Sequence, residues 1–144
     1  MNARCRAGEV DVVGVDISGR HEESGEYLMV AAAVAARVDT SRLRRVEGIG
    51  LATSQREPTF RNAAAVIRDA LSALPEPPAG PVVAERGEFY EEPAWTVEEH
   101  IEAEFKYVES IADRETVGVA HHAAYAARTL LLDAQIDFGA SGTH

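Results

Sequence analysis

The pattern of hydrophobic positions changes period near residue 58, which separates three predicted strands from the helical remainder of the chain. The first apolar run, EVDVVGVDISG at residues 9–19, is rich in β-branched residues and ends at a Ser-Gly turn, so it predicts a buried strand. The run RLRRVEGIGLAT, residues 42–53, predicts a third and more exposed strand. Because short links join the runs, we expect an antiparallel meander.

The middle run of the meander, YLMVAAAVAARV at residues 27–38, is open to two interpretations. Its alanines favour a helix on propensity alone. Its tyrosine and three valines, which follow a turn shortly after the first strand, favour a strand. We adopt the strand.

Helical periodicity begins after Pro58. Thr59 is placed to cap a helix of about fifteen residues, with Phe60, Ala64, Ile67, Leu71 and Leu74 on one face. The segment PEPPAGP, residues 75–81, ends this helix and forms a stiff loop. Residues 82–84, VVA, then predict a short buried strand that ends at Glu85.

The last third of the chain predicts two further helices. The sequence Thr96-Val97-Glu98-Glu99 matches a capping box and predicts a helix to about Asp113. Another helix is predicted from about Thr116 to Gln135, although VGVA at 117–120 also fits a very short fifth strand. The inner stripe of the first helix would contain Val97, Ile101, Phe105, Val108 and Ile111. The order β-β-β-α-β-α-(β)-α predicts an α/β fold, a mixed sheet with helices on both faces.

Length and composition indicate one globular domain over residues 1–138, followed by a disordered tail at 139–144. No apolar run approaches the roughly 20 residues of a membrane span, and the amino terminus lacks the apolar core of a secretory signal. Cys5 is the only cysteine, which excludes an intramolecular disulfide and a cysteine-based zinc site. We therefore expect a cytoplasmic protein without a membrane partner.

The net charge of −10 changes which partners are expected. Acidic residues number 24 against 14 basic ones, and Lys106 is the only lysine. An acidic chain is usually a poor ligand for nucleic acid, because phosphate contacts need Lys and Arg. This composition is also typical of a salt-adapted organism, in which every protein is acidic. The charge therefore does not exclude a nucleic-acid partner.

Four polar residues are candidates for chemistry: Asp16, Glu85, His121 and His122. Asp16, near the end of a buried strand, either caps the Ser18-Gly19 turn or needs a cation or donors to offset its burial. Glu85 either ends the fourth strand at a site or begins a solvated loop, since Arg86, Glu88 and further acids follow. Two strand carboxylates and one helix ligand can hold Mg²⁺, and paired ions promote phosphodiester displacement.

The pieces GVDIS, VVAE and HHAAYAA, in this element order, resemble the ribonuclease H-like superfamily and its Holliday-junction resolvase branch. The resemblance implies a ribonuclease H-like fold, Mg²⁺ or Mn²⁺ as cofactor, and a structured nucleic acid as partner. It places the metal on Asp16, Glu85 and His121 or His122, with His122 retained as the ligand. One departure is that Ala124 and Tyr125 occupy the positions three residues beyond the histidines, so a fourth ligand is missing. VDISGRH followed by YLMVAAAV is also similar to an uncharacterised haloarchaeal family.

Three functional hypotheses follow. The first is a metal-dependent nuclease in which Asp16, Glu85, His121 and His122 are catalytic. The second is a non-catalytic ribonuclease H-like binding or regulatory module, acting as a homodimer. The third is an unrelated α/β domain in which Asp16 only caps a turn. Tyr90 and Trp95 are aromatic candidates for a base contact or for loop packing, and the chain has no serine-hydrolase, P-loop or Rossmann motif.

Overall fold

The structure, a computed structural model, describes residues 8–20 and 27–140, with side chains through residue 134. Three strands come first, and helices and short strands then alternate to the end. In chain order the elements are β1 (Val10–Ser18), β2 (Met29–Val38), β3 (Leu43–Ser54), α1 (Phe60–Ser72), β4 (Val82–Ala84), a 3₁₀ turn (Arg86–Phe89), α2 (Ala94–Ile101), β5 (Phe105–Tyr107) and α3 (Ile111–Ala140).

The five strands form one mixed sheet in the order β3-β2-β1-β4-β5. β1 pairs antiparallel with β2, and β2 pairs antiparallel with β3. β4 pairs parallel with β1, and β5 pairs parallel with β4. The expected meander and mixed sheet are confirmed, and so is the strand interpretation of residues 27–38.

β2 is a strand despite its alanines because it is buried on both faces of the sheet. A strand covered on both sides reads as a continuous apolar run, without alternation. Ala31 and Ala33 pack into the cluster under α1, whereas Ala32 and Val34 pack under α3. Small side chains on both faces let the two helical layers approach the sheet closely.

The central strand β1 contacts both helical layers. Val13, Val15 and Ile17 face α1 and α2, whereas Val12 faces α3. A Cβ on Gly14 would lie 2.8 Å from the backbone carbonyl carbon of Thr116 in α3. The glycine therefore lets α3 cross β1 almost backbone to backbone, which fixes what α3 places beside the end of the strand.

α1 matches its predicted cap and buried face. The Thr59 hydroxyl accepts a hydrogen bond from the Asn62 N–H at 3.1 Å. The predicted apolar face of α1 packs against the sheet, with Ala64, Ile67 and Leu71 buried.

The prediction of one helix from Thr96 to about Asp113 is wrong. α2 begins after Pro93, the Thr96 side chain does not cap it, and it ends at Ile101. Glu102 then adopts a left-handed conformation with φ of 60°, which redirects the chain into β5. The Phe105 N–H donates to the Glu98 carboxylate at 3.0 Å, so that side chain bonds to the adjoining strand.

The start of α3 also differs from the sequence prediction. Ile111, expected on an inner helical stripe, opens α3 and is 65% exposed. Residues 117–120, the alternative fifth strand, lie inside α3. The disordered tail stays a prediction, because residues 141–144 lie outside the described residues. Within the described ranges, no helix combines the length and apolar character needed to cross a bilayer.

Candidate functional site

Asp16 is buried near the carboxyl end of β1, on the side of the sheet covered by α3. His121, on α3, places its Nδ1 3.1 Å from the Asp16 Oδ2. Burial raises the pKa of the Asp16 carboxyl, and the contact with His121 opposes only part of that rise. The charged form of Asp16 is therefore disfavoured, because burial removes the carboxylate from water.

A second buried carboxyl group, Glu88, meets Asp16 from the 3₁₀ turn that follows β4. Its Oε2 accepts a hydrogen bond from the Ile17 N–H at 2.8 Å. Burial, the neighbouring Asp16 charge and a hydrogen bond with Asp16 together raise the pKa of Glu88 to about 8. At neutral pH the two carboxyl groups therefore hold a proton between them, as paired acids in a confined site do.

Arg20 lies on the other side of Glu88. Its Nη1 is 3.5 Å from the Glu88 Oε1 and donates to the Gly87 carbonyl at 3.2 Å. The ion-pair geometry would by itself favour an ionised Glu88, yet the pKa of Glu88 is raised. Burial and the Asp16 charge outweigh Arg20, because the 3.5 Å separation from Arg20 exceeds that of a good charge-assisted hydrogen bond.

The loop that carries Glu88 is held in place by two tyrosines. Tyr90 and Glu91 have φ of 57° and 59°, a sharp left-handed turn. The Tyr90 hydroxyl donates to the Pro58 carbonyl at 2.6 Å, and the Tyr107 hydroxyl donates to the Glu92 carbonyl at 2.6 Å. The guanidinium of Arg20 also lies 4.6 Å from the centre of the Tyr90 ring. Tyr90 thus packs the loop, one of the two roles expected for it.

Glu85 lies beside this pair but does not belong to it. Its Oε1 is 3.3 Å from Nη1 of Arg114 on α3, and both side chains are well exposed. The negative charge of Glu85 is a minor cause of the raised pKa of Asp16. β1 and β4 are neighbours as expected, but the acid that contacts Asp16 is Glu88.

The two histidines have different positions. His121 contacts Asp16, although its side chain is 61% exposed. His122 is exposed, and its ring lies edge-on to that of His121 at 5.5 Å between centroids. His121 is therefore the histidine that reaches the carboxyl pair. Trp95, the other aromatic candidate, is 64% exposed on α2.

Sequence reasoning missed Glu88, because the acids after β4 indicated a solvated loop. That inference was wrong for Glu88, which is 6% exposed. The available signal was Phe89, an apolar residue in a polar loop. Phe89 is fully buried against Phe60 and Phe105, which draws the neighbouring Glu88 inward.

Within the part of the chain that the structure describes, no three His, Cys, Asp or Glu side chains are grouped as ligands of one metal ion. The carboxyl groups of Asp16 and Glu88 are nevertheless suited to a cation that needs only two protein ligands. Mg²⁺ typically uses one or two carboxylates and completes its shell with water and substrate phosphate. Asp16 and Glu88 supply two carboxylates whose mutual repulsion a cation would relieve. They fit one partly solvated ion and do not supply the four ligands of a two-ion site.

The sequence comparisons identify the family of the chain. A family model described as "Uncharacterized protein conserved in archaea (DUF2209)" matches residues 13–132. The chain belongs to the DUF2209 family. The region matched to DUF2209 runs from β1 into α3 and includes Asp16, Glu85, Glu88 and His121.

One protein similar to this chain is "Uncharacterized protein MJ0095" of Methanocaldococcus jannaschii. It is 25% identical over 122 residues, which cover 84% of this chain and 96% of that protein. The expected similarity to an uncharacterised archaeal family is confirmed.

Proposed function

We propose that this DUF2209 protein is a ribonuclease H-like hydrolase that cleaves phosphodiester bonds of a structured nucleic acid. It would use one divalent cation, Mg²⁺ or Mn²⁺, held by Asp16 and Glu88. The observation that carries the proposal is the pair of buried carboxyl groups, in which the charge of Asp16 helps to raise the pKa of Glu88, near the point where the carboxyl ends of β1 and β4 meet. Buried acids whose pKa is raised by burial and by a neighbouring charge are a recurrent feature of catalytic sites.

The arrangement of elements supports the ribonuclease H-like assignment. An antiparallel β1-β2-β3 meander is extended by parallel β4 and β5, and the last helix crosses β1. This order brings an acid of β1, an acid after β4 and a residue of the last helix to one place. The resemblance of GVDIS, VVAE and HHAAYAA predicted a convergence of Asp16, Glu85 and a histidine. In this proposal Glu88, which sequence reasoning did not identify, takes the role predicted for Glu85.

Each residue of the site has a distinct role in the proposed reaction. The cation, when bound, polarises the phosphodiester and lowers the pKa of a coordinated water. Asp16 and Glu88 bind and orient it. His121, exposed and hydrogen-bonded to Asp16, is placed to accept a proton from the attacking water. The exposed guanidinium of Arg114, about two turns before His121 on α3, is placed to bind a substrate phosphate.

A second candidate is a non-catalytic module with the same fold. It is favoured by the contacts of Glu88, since one of its oxygens accepts from Ile17 and the other lies beside Arg20. These contacts would make the carboxyl pair a structural feature that joins the β4 loop to β1. Among the residues that the structure describes, no third His, Cys, Asp or Glu joins the pair as a ligand, which favours the same alternative.

A cleavage assay separates the two candidates. Branched duplexes and RNA–DNA hybrids are incubated with Mg²⁺ or Mn²⁺ at low and high salt, with a chelator as the negative control. We expect Asp16→Asn and Glu88→Gln each to reduce cleavage by about a hundredfold or more, as for loss of a group that binds the reacting centre. Glu85→Gln should reduce cleavage by less than about tenfold, because Glu85 pairs with Arg114 and does not belong to the carboxyl pair.

The matched control is Glu57→Gln, which removes one exposed carboxylate outside the site. It should cleave like the unaltered chain. Full activity of Asp16→Asn would contradict the proposal. Failure of the unaltered chain to cleave any substrate under any of these conditions would favour the non-catalytic module.

A further inference from the structure

A third charged side chain, Arg20, lies against the carboxyl pair of Asp16 and Glu88. It follows the end of β1, where Gly19 has φ of 91° and a Cβ would overlap the Leu28 carbonyl oxygen. Glycine is required at this turn, because another residue would be strained and would lack space. The Arg20 side chain is 17% exposed, so most of it is removed from water.

Three contacts hold the guanidinium of Arg20 beside Glu88. Its Nη1 lies 3.5 Å from the Glu88 Oε1 and donates to the Gly87 carbonyl at 3.2 Å. Its central carbon lies 4.6 Å from the centre of the Tyr90 ring, within the range of a cation–π contact. All three partners belong to the loop that carries Glu88. The fold therefore holds a permanent positive charge at the edge of the carboxyl pair.

These contacts do not use the full hydrogen-bonding capacity of Arg20. Arginine has five N–H donors, and the buried Nε of Arg20 has no acceptor among the residues that the structure describes. A buried donor without an acceptor lowers stability. The loop is already joined to β1 by the hydrogen bond from the Ile17 N–H to Glu88. The positive charge of Arg20, rather than its hydrogen bonds, therefore indicates a function.

The charges around the pair suit one divalent cation and one phosphodiester. With both acids ionised and histidine neutral, Asp16, Glu88 and Arg20 together carry one net negative charge. Glu85 and Arg114 form an ion pair beside them and cancel each other. One divalent cation turns the total into one positive charge, which matches the single negative charge of a phosphodiester. A second divalent cation would leave the site with an excess of positive charge.

We propose that Arg20 is the second cation of this site. It takes the role of the second metal ion in a two-ion site, competes with the bound divalent ion for Glu88 and restricts the pair to one ion. This inference rests on the proposed function, because it concerns the cation held by Asp16 and Glu88. In two-ion sites the second positive charge helps to stabilise the reacting phosphate. A guanidinium supplies such a charge without a second set of metal ligands.

The competition between Arg20 and the metal ion has a defined direction. Arg20 repels a doubly charged ion more strongly than it repels a proton, so Arg20→Gln should tighten Mn²⁺ binding by about tenfold. The same variant should cleave about a hundredfold more slowly at saturating Mn²⁺, because the second positive charge is lost. Tighter binding combined with slower cleavage is not expected of a residue that only supports the loop.

A calorimetric titration of Mn²⁺ into the unaltered chain, Arg20→Gln, Arg20→Lys and Arg45→Gln tests the competition. Arg20→Lys keeps the positive charge. Arg45→Gln removes an exposed guanidinium near the start of β3, at the opposite end of the sheet from Asp16. Both should bind Mn²⁺ like the unaltered chain, with one ion per chain. An affinity of Arg20→Gln that equals or falls below that of the unaltered chain would overturn the proposal.

Thermal unfolding separates this role from a structural one and verifies that each variant is folded. In a chelator, Arg20→Gln should have a lower Tm than the unaltered chain, because the two acids lose their counter-ion. At one Mn²⁺ concentration it should gain more stability than the unaltered chain, because it binds the ion more tightly. An equal decrease in Tm with and without Mn²⁺ would show a structural role and overturn the proposal.

The cleavage assay reports separately on the proposed function. If the unaltered chain binds Mn²⁺ but cleaves no substrate, the hydrolase is contradicted, while tighter binding by Arg20→Gln still supports Arg20 as the competing charge. If the unaltered chain cleaves and Arg20→Gln cleaves equally well, the hydrolase stands and the role of Arg20 as its second cation is overturned.

Discussion

Asp16 and Glu88 are two buried carboxyl groups that interact at the end of the central strand, where burial and the charge of Asp16 raise the pKa of Glu88. The position of Asp16 is fixed by β1, which approaches α3 closely at Gly14. Glu88 is fixed by the Ile17 N–H and by the burial of Phe89. The fold thus holds together two acids whose ionisation is unfavourable at neutral pH. Binding of a proton or a cation would relieve that unfavourable charge.

The first prediction concerns the pH dependence of stability. The pKa of Glu88 is about 8 in the folded protein against an ordinary value of 4.5, so the folded state binds the proton more tightly. The free energy of unfolding should therefore fall as pH rises from 4.5 to about 8. Over that range Glu88 should lower the free energy of unfolding by roughly 2–4 kcal/mol. Urea unfolding at a series of pH values in a chelating buffer measures this decrease.

The variant Glu88→Gln isolates this effect. Glutamine keeps an oxygen that can accept from the Ile17 N–H and removes the charge beside Asp16. We expect a flatter pH profile and higher stability than the unaltered chain above the Glu88 pKa of about 8. Glu57→Gln should follow the unaltered chain. Parallel profiles for Glu88→Gln and the unaltered chain would show that Glu88 does not carry the raised pKa.

The second prediction distinguishes the two histidines. Among the influences on Asp16, His121 lowers the pKa of the carboxyl through a hydrogen bond and its charge. His121→Ala should therefore raise the pKa of Asp16, as followed by carbon NMR of the carboxyl group. His122→Ala, which changes the exposed neighbour, should leave the titration of Asp16 unchanged. An equal shift in both variants would contradict the assignment of His121 as the contact.

The third prediction tests the approach of α3 to β1. Gly14→Ala places a methyl group 2.8 Å from the Thr116 backbone, so it should destabilise the protein by about 2–3 kcal/mol. Gly118→Ala is the matched change within α3, where a Cβ has no neighbour within 4 Å. It should stabilise the protein by up to about 1 kcal/mol through helix propensity. Chemical unfolding measures both, and similar effects of the two substitutions would contradict the close packing.

Much of the fold could be predicted from local pattern. The β-branched residues of β1 and the turn after them favour a strand, and the apolar residues of α1 recur at helical spacing. The start of α2 was misplaced, because Thr96 and Glu99 match a capping box although the helix begins after Pro93. Its end was missed because it depends on the left-handed conformation of Glu102, a residue with no sequence signal for that conformation. β5 has three residues, too few for a period to be visible, and its pairing with β4 is a tertiary contact.

The candidate site was predicted less completely than the fold. Asp16 and the histidine pair were singled out because a carboxylate in an apolar strand and histidines on an apolar helix stand out locally. The prediction retained His122 as the metal ligand, whereas His121 is the histidine that contacts Asp16. Glu88 does not, since Glu, Arg and Gly surround it in a turn-rich segment. Its burial depends on Phe89 packing against Phe60 and Phe105, residues on elements distant in sequence.

The most direct test of the central claim is a calorimetric titration of Mn²⁺ into the unaltered chain, Asp16→Asn, Glu88→Gln and Glu57→Gln. It is run near neutral pH, where cation binding must release the proton shared by Asp16 and Glu88, and in two buffers of different ionisation enthalpy. We predict one ion bound per chain with proton release in the unaltered chain and Glu57→Gln, and loss of binding in the two site variants. Equal binding by all four, or binding by none, would contradict a cation site at Asp16 and Glu88.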